Sequence, residues 1–481
     1  MDRGQPSERR KICVLHSPEL NSMIIDREIF RAYDIRGVYP KQLNEEIAEK
    51  IGRALGTVFI KKGYKTVVVG RDDRKSSVSV SSSLVSGLLK TGCDVVFVGV
   101  TVEPAIHYFS FMESIDAAVN VTASHNPGEF GGIKVDYKNA VPLFGEELSR
   151  IVDIIEREDF TSGSGVYREE DLTQKYIEFI ASKFRLTKPI KVVIYCGNGA
   201  TSEIYPKILE SIGARVVPLR CYLDDAFPKG IPDPETGNFY PELAAEVLQS
   251  RAKLGVGFDG DGDRVGDVDE KGKSYRADQM LVLYAKDLLL RFPKSTIAMD
   301  VKCSQVSQDY IKKLGGTPLM LRTGRAYFLE IMRDKKAMLA AELSGHIYFN
   351  EDFYGVDDGI YATCKLLKIM DESGQKLSKL MAEFPTAHST PELKIDCDDS
   401  KKFEIVASVV RDIKKQGGYL DVNETDGARV SVSETGWFLV RASNTSPYIS
   451  VRAEGKDSIE VANLIDKLAK LLAKYDAILK I

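Results

Sequence analysis

No apolar stretch in this sequence approaches the ~18 residues of a membrane span, so no transmembrane helix is expected. A basic excess is missing too: 66 Lys and Arg stand against 70 Asp and Glu, a net charge of -4. A nucleic-acid binder shows its electrostatic footprint as such an excess, so no nucleic-acid partner is expected. Local cationic clusters in a mildly acidic whole still leave room for a small anionic substrate. The cysteines, Cys13, Cys93, Cys196, Cys221, Cys303, Cys364 and Cys397, are scattered, odd in number and form no C-x-x-C pair. Buried reduced thiols of a cytoplasmic protein are therefore expected, rather than a disulfide frame or a zinc site. Near the N-terminus, Arg9-Arg10-Lys11 precedes only a short apolar run, Ile12 to Leu15, too brief for a signal-peptide core. Met23-Ile24-Ile25-Asp26 opens the first segment that reads as folded, so residues 1–22 are expected to be a dispensable extension, or to follow a misassigned start.

What is present is length and repetition. A chain of 481 residues exceeds one hydrophobic core and predicts three or four domains. Three segments read alike. Thr66–Gly70, Lys191–Cys196 and Thr296–Asp300 are β-branched or apolar runs. Each leads through a small or polar turn into an amphipathic helix, a terminal glycine (Gly92, Gly213, Gly315) and a further strand. Uninterrupted apolar strands alternating with helices indicate βαβ units whose sheets are covered on both faces. The glycines fit the position after a helix, which often takes positive φ. The tail differs. A helical stretch Lys402 to Gln416 precedes strands at Ala428–Ser433, Trp437–Arg441 and Ile449–Ala453, and a last helix starts with Asp457 and Glu460 spaced as a capping box. In that helix Val461, Leu464, Leu468, Leu471 and Tyr475 recur at helical spacing, so one face packs. The fold class is thus three related α/β domains with mixed sheets, at 23–170, 171–273 and 274–389, plus a C-terminal α+β domain at 390–481, around a central active-site cleft.

Each domain carries one polar loop. Thr122-Ala123-Ser124-His125-Asn126-Pro127 follows the apolar run Ala117–Val121 and puts a hydroxyl, an imidazole and an amide on one turn. Ser is a weak nucleophile without a base or a metal beside it. Asp259-Gly260-Asp261-Gly262-Asp263-Arg264 alternates carboxylates with glycines after the apolar Leu254–Phe258, an all-oxygen set suited to Mg²⁺ or Ca²⁺. An EF-hand is excluded: Asp259, Asp261, Asp263 and Glu270 match its spacing, but Arg264 stands where that loop requires Gly, and the flanks read as strands. Ala341-Glu342-Leu343-Ser344-Gly345-His346 offers a carboxylate and a hydroxyl two residues apart, able to meet sugar hydroxyls. Arg441-Ala442-Ser443-Asn444-Thr445-Ser446-Pro447 combines a guanidinium with small hydroxyl and amide groups, as a phosphate requires. Nucleophile, divalent metal, sugar contacts and phosphate cradle together make the set needed for phosphoryl transfer on a polyol phosphate.

With these loops in this order, the chain from about Met23 onward resembles the α-D-phosphohexomutase superfamily, most closely its phosphomannomutase/phosphoglucomutase branch. Phe30-Arg31-Ala32-Tyr33-Asp34-Ile35-Arg36-Gly37 and Gly70-Arg71-Asp72 add to the resemblance. It implies Ser124 as the phosphorylated serine, with Asp259, Asp261 and Asp263 holding Mg²⁺ against its phosphate. Arg36 and Arg264 would lie beside the transferring phosphoryl group. Lys134, with His125 and His346, would do acid/base work. Glu342 and Ser344 would select the sugar, and Arg441, Ser443, Asn444 and Thr445, supported by Tyr33, Lys302 and Arg452, would grip the phosphate that stays. Small hexose phosphates are the implied partners and a hexose 1,6-bisphosphate the implied intermediate and activator, with monomer and dimer both open. Two segments depart from the family pattern. Ala341 and Leu343 stand where relatives usually have Gly and Met, and Arg325, in the substrate-binding segment Thr323-Gly324-Arg325, stands where they commonly have His. Phosphoglucosamine mutase is the nearest alternative; relatives of that kind typically have Gln at the position of Leu343 and Ser-Gly-Thr-Glu-Pro in the last loop. A non-catalytic sugar-phosphate-binding relative would be expected to lose Ser124 or an aspartate, and both are intact.

Overall fold

The three apolar strand–helix–strand repeats form three parallel cores in the computed structural model, which describes residues 25–479. Strands Thr66–Arg71 and Asp94–Val100 pair in parallel around the helix Lys75–Leu89. Lys191–Tyr195 and Arg215–Leu219 do so around Tyr205–Ser211, and Thr296–Asp300 and Thr317–Leu321 around Gln305–Lys313. Val67, Val68, Val69, Val193, Ile194, Ile297 and Ala298 have no exposed surface, as a sheet covered on both faces requires.

Each core is then extended in the same way, and this extension places the site. Ala117–Val121, Leu254–Phe258 and Leu339–Ala341 each add in parallel to the first strand of their core. The chain then reverses into an antiparallel strand: Phe130–Tyr137, Val265–Asp269 and Ile347–Phe349 respectively. The serine, aspartate and Glu342–His346 loops are thus the same turn in three mixed sheets. The fourth sheet has six strands. Its hairpin of Trp437–Ala442 with Tyr448–Gly455 carries Ser443–Pro447 at the tip, and it packs on the helices Lys402–Gln416 and Ser458–Leu472. At the start of the last helix Asp457 caps the Glu460 N–H, while Glu460 reaches the Lys456 N–H rather than that of Asp457, so the expected box is only half closed.

One hydrophobic core runs from Val68 and Ile106 in the first sheet through the second into Leu339 and Tyr361 in the third. The fourth keeps its own core and meets the third at a small cluster of Val301, Trp437 and Leu439. Among the described residues no helix is long and apolar enough to cross a membrane. The cysteine expectation needs correction, because Cys196 and Cys221 form a disulfide. Cys196 is one residue and Cys221 two residues beyond neighbouring parallel strands, which brings their Cα atoms to 4.9 Å, a proximity that spacing along the chain does not reveal. Cys93, Cys303 and Cys364 are buried free thiols and Cys397 is partly exposed. Cys13 and the expected extension at 1–22 lie outside the described residues.

Candidate active site

Ser124 sits at φ 51°, in the left-handed region that non-glycine residues rarely occupy. Such a conformation persists only where the surroundings hold it, and here they do. Arg74 donates from Nη2 to the Ser124 carbonyl (2.8 Å) and from Nη1 to that of Pro127 (2.7 Å). Arg36 donates to the Ala123 carbonyl (2.8 Å), Asp72 accepts from the Ala123 N–H (3.2 Å), and Thr122 Oγ1 accepts from the Ser124 N–H (2.9 Å). The Ser124 hydroxyl donates to Asp259 Oδ2 at 2.7 Å and lies 3.1 Å from His125 Nδ1. Burial, with Arg264 and Arg36 nearby, pushes the His125 pKa well down, so its ring is neutral.

The aspartate loop faces this serine from the second sheet. A Cβ on Gly260 would lie 2.6 Å from the Ser124 carbonyl oxygen, and Gly262, at φ +80°, has a backbone that only glycine takes without strain. Asp259, Asp261 and Asp263 have no exposed surface and present oxygens within 4.8 Å of one another. Burial and mutual repulsion raise the pKa of Asp259 and Asp261. Burial also works against Asp263, but Lys134, His346 and Arg264 pull it well below the usual range. Lys134 Nζ donates to Asp261 Oδ2 (2.8 Å) and Asp263 Oδ2 (2.7 Å), while Oδ1 of each has no hydrogen-bond partner. Buried carboxylates with unpartnered oxygens fit a hard divalent cation.

Across the cleft, Glu342 accepts from the Gly324 N–H (2.8 Å) and the Tyr348 hydroxyl (2.9 Å), fixing its carboxylate, with Ser344 buried beside it. Ala341 ends the strand Leu339–Ala341, paired with Ile347, so a methyl in place of the family's Gly is housed in a regular ladder. His346 Nε2 accepts from Arg264 Nε at 3.0 Å and its Nδ1 lies 2.8 Å from Asp357. Arg441 donates from Nε to Asp426 (2.7 Å), Asn444 donates to the Thr323 carbonyl (3.0 Å), and Lys302 pairs with Glu235.

One polar cleft is lined by Tyr33, Arg36, Ser124, His125, Lys134, Asp263, Arg264, Lys302, Arg325, Glu342, Ser344, His346, Arg441, Ser443, Asn444 and Thr445. A roomier groove of about 630 Å³, along the helix Lys75–Leu89, is lined by none of the expected residues. Four family descriptions match the chain in order. Phosphoglucomutase/phosphomannomutase alpha/beta/alpha domains I, II and III match residues 27–162, 174–272 and 276–388, and the C-terminal domain matches 392–471. A phosphomannomutase/phosphoglucomutase of Pseudomonas putida is 38% identical over 448 residues, covering 93% of this chain and 96% of that protein. The chain belongs to the phosphoglucomutase/phosphomannomutase family. The corresponding Pseudomonas aeruginosa protein is 37% identical over 453 residues, 94% of this chain and 97% of its own. A crystal structure of a family protein from Burkholderia thailandensis superposes with a TM-score of 0.86 at 33% identity, covering 95% of this chain and 99% of that one.

Two expected ligands of the substrate are placed differently from the rest. Arg452 is buried outside the main cleft, beside a cavity bounded by Pro234 and Ser389, and donates to the Lys302 carbonyl. Arg325 reaches the cleft wall, but both its terminal nitrogens are spent on Glu103 (2.6 Å) and Asp136 (2.9 Å). Residues the sequence reading did not single out complete the site: Arg74 behind the serine, beside Asp72 of the Gly70-Arg71-Asp72 segment, and Glu235 and Glu392 in the cleft wall around Lys302. The charged run Arg71-Asp72-Asp73-Arg74, which continues the Gly70-Arg71-Asp72 segment, was the available signal for Arg74.

Proposed function

We propose that this family member interconverts the 1- and 6-phosphates of glucose and mannose, carrying the phosphoryl group on Ser124 and passing through a hexose 1,6-bisphosphate. The observation that carries the reading is the Ser124 hydroxyl held on Asp259 at 2.7 Å, in a cleft to which all four sheets contribute a loop. In the first half-reaction the Oγ–P bond of the phosphoserine breaks as a P–O bond to the free sugar hydroxyl forms. That hydroxyl gives up its proton, and Oγ gains one. The bisphosphate then turns end for end, and the reverse step returns its other phosphate to Ser124. Lys134 carries a proton, since Asp261, Asp263 and Glu103 outweigh the burial that would lower its pKa. Neutral His125, 3.1 Å from Oγ, can take the serine proton on the return step. Arg36 and Arg264 share the charge of the loose transition state.

Asp259, Asp261, Asp263 and the Ser124 phosphate would hold Mg²⁺, which when bound offsets negative charge on the transferring phosphoryl oxygens. Arg441, Ser443, Asn444, Thr445 and Lys302, with Tyr33, grip the phosphate that stays. Glu342 and Ser344 take O3 and O4 of the sugar, which glucose and mannose share and galactose, with its axial O4, does not. Small hexose phosphates are the proposed partners, in the cytoplasm.

The test is turnover of glucose 1-phosphate and mannose 1-phosphate, with Mg²⁺ and a trace of bisphosphate, by wild type and Ser124→Ala. Both sugars are expected to react, with a loss of at least about a thousandfold in the variant. Galactose 1-phosphate should reach less than roughly a tenth of the glucose rate, because a site built to bond one hydroxyl rejects its epimer. Equal turnover of galactose 1-phosphate would sink the sugar assignment, and an active Ser124→Ala the phosphoserine. No turnover of glucose or mannose phosphate would leave glucosamine phosphate to test.

A further inference from the structure

Arg325 opens the helix Arg325–Arg333 beside the third sheet, yet its hydrogen-bond partners all belong to the first. Nη1 donates to Glu103 Oε1 at 2.6 Å and lies 2.9 Å from His107 Nε2; Nη2 donates to Asp136 Oδ1 at 2.9 Å. Glu103, His107 and Asp136 present ligand atoms within 4.8 Å of one another, a spacing a metal would accept, but the guanidinium already lies within 2.9 Å of all three and His107 itself contacts both carboxylates. The side chain is 4% exposed. For a substrate phosphate to bind either terminal nitrogen, a buried carboxylate would have to give up its shortest ionic bond and fall back on His107, 3.2 Å from Asp136 and 3.4 Å from Glu103, which is costly.

The carboxylates that Arg325 holds sit next to catalytic groups. Asp136 is two residues from Lys134 on the strand Phe130–Tyr137, so both side chains leave the same face. Glu103 Oε2 accepts from Asn120 (2.7 Å), while Oε1, the atom bonded to Arg325, is 4.0 Å from Lys134 Nζ. The Glu103 N–H donates to the Asp261 carbonyl at 2.9 Å, tying this carboxylate's backbone to the aspartate loop. Arg325 and Lys134 therefore compete for one oxygen. Without Arg325, Glu103 Oε1 would keep only His107 Nε2, at 3.4 Å, and Lys134 is the ammonium within 4.0 Å that can move onto it.

We propose that Arg325 is a positioning residue: by occupying Glu103 and Asp136 it keeps the Lys134 ammonium at the cleft, beside Asp261 and Asp263, instead of on Glu103. The role rests on the mutase reading above. It differs from the substrate contact that the position of Arg325 in the family pattern suggested.

The test measures kcat and KM with glucose 1-phosphate for wild type, Arg325→Gln, Glu103→Gln and the double variant. Binding of glucose 1-phosphate is measured for each in the Ser124→Ala background, and a crystal structure of Arg325→Gln locates Lys134. Arg325→Gln is expected to lose about a hundredfold in kcat, as a displaced catalytic group does, with KM and Kd within about twofold of wild type. Its Lys134 Nζ should lie within hydrogen-bond distance of Glu103. The double variant, lacking the competing charge, should recover to within about fivefold of Glu103→Gln alone. A rise of tenfold or more in KM and Kd with kcat retained would make Arg325 a phosphate ligand and overturn the proposal. Absence of rescue, or a Lys134 that stays on the aspartates, would overturn it too. If Arg325→Gln does not fold, the double variant, in which the guanidinium and one carboxylate charge leave together, decides by its kcat and Kd. A wild type that turns over no hexose phosphate would sink the mutase reading, and the position of Lys134 in the variant would still decide this one.

Discussion

The two ends of the cleft are built differently. At the Ser124 end, a strained serine is held by Arg74, Arg36, Asp72 and Thr122, and the facing loop supplies three aspartates without exposed surface. The sheets behind that end share one continuous core. At the Arg441 end, the loop Ser443–Pro447 joins two strands of a sheet with a separate core, and Asn444 ties it to the third sheet through the Thr323 carbonyl. Phosphoryl transfer needs fixed geometry at the reacting atoms, whereas a bisphosphate that must turn needs a wall that can release it. A rigid end for the chemistry and a separately packed end for the grip meet both needs, since motions of the gating kind use elements with few shared buried contacts.

The comparison breaks most visibly if divalent cations are removed. Chelation should stop turnover by at least about a thousandfold, because the buried aspartates then face the phosphoserine as bare negative charge. Added Mg²⁺ should restore the rate. Retained turnover after exhaustive chelation would show that Lys134, which already bridges Asp261 and Asp263, suffices as their cation. A smaller and differently shaped effect is expected at the other end. If Arg441 grips the phosphate that stays, as proposed, Arg441→Gln removes a charge-assisted bond worth roughly 1.5–3 kcal/mol, so KM should rise about 10- to 100-fold while kcat falls much less. A loss in kcat equal to the rise in KM would mean that this end is as tightly coupled to the chemistry as the serine, and the contrast would fail.

Regions that depend on local order were legible in the sequence. The helix Lys402–Gln416 and the strand Thr296–Asp300 lie where periodicity and β-branching put them. The site loops were legible because their residue types are improbable after an apolar strand. The equivalence of three of those loops was not, because it lies in which strand pairs with which: a parallel addition followed by a reversal, repeated in three sheets. Arg74 and Glu103 were missed for the same reason. Arg74 grips a serine carbonyl 50 positions away and Arg325 reaches Glu103 across 222, distances no local pattern encodes. The Cys196–Cys221 pair likewise arises from the adjoining ends of two parallel strands.

The smallest predicted effect separates function from burial within one hairpin. Asp267, like Asp259, Asp261 and Asp263, is buried, but Oδ1 has no partner and burial alone pushes its pKa up to about 7. The three loop aspartates converge on Lys134 and the serine; Asp267 is not part of that cluster, and among the described residues it pairs with no cation. A carboxyl that resists ionisation in the fold but ionises freely once unfolded favours the unfolded chain as pH rises from near its unfolded value of about 4. The penalty grows until about pH 7, where the folded group ionises too, and is constant beyond. Asp267→Asn should therefore melt at a higher temperature than wild type at pH 8, with a smaller advantage at pH 5, and turn over substrate within about twofold of wild type. Scanning calorimetry across that range checks it. An advantage independent of pH would mean that the amide gains by packing rather than by shedding a charge. A fall in activity like that of the loop aspartates would place Asp267 in the site after all.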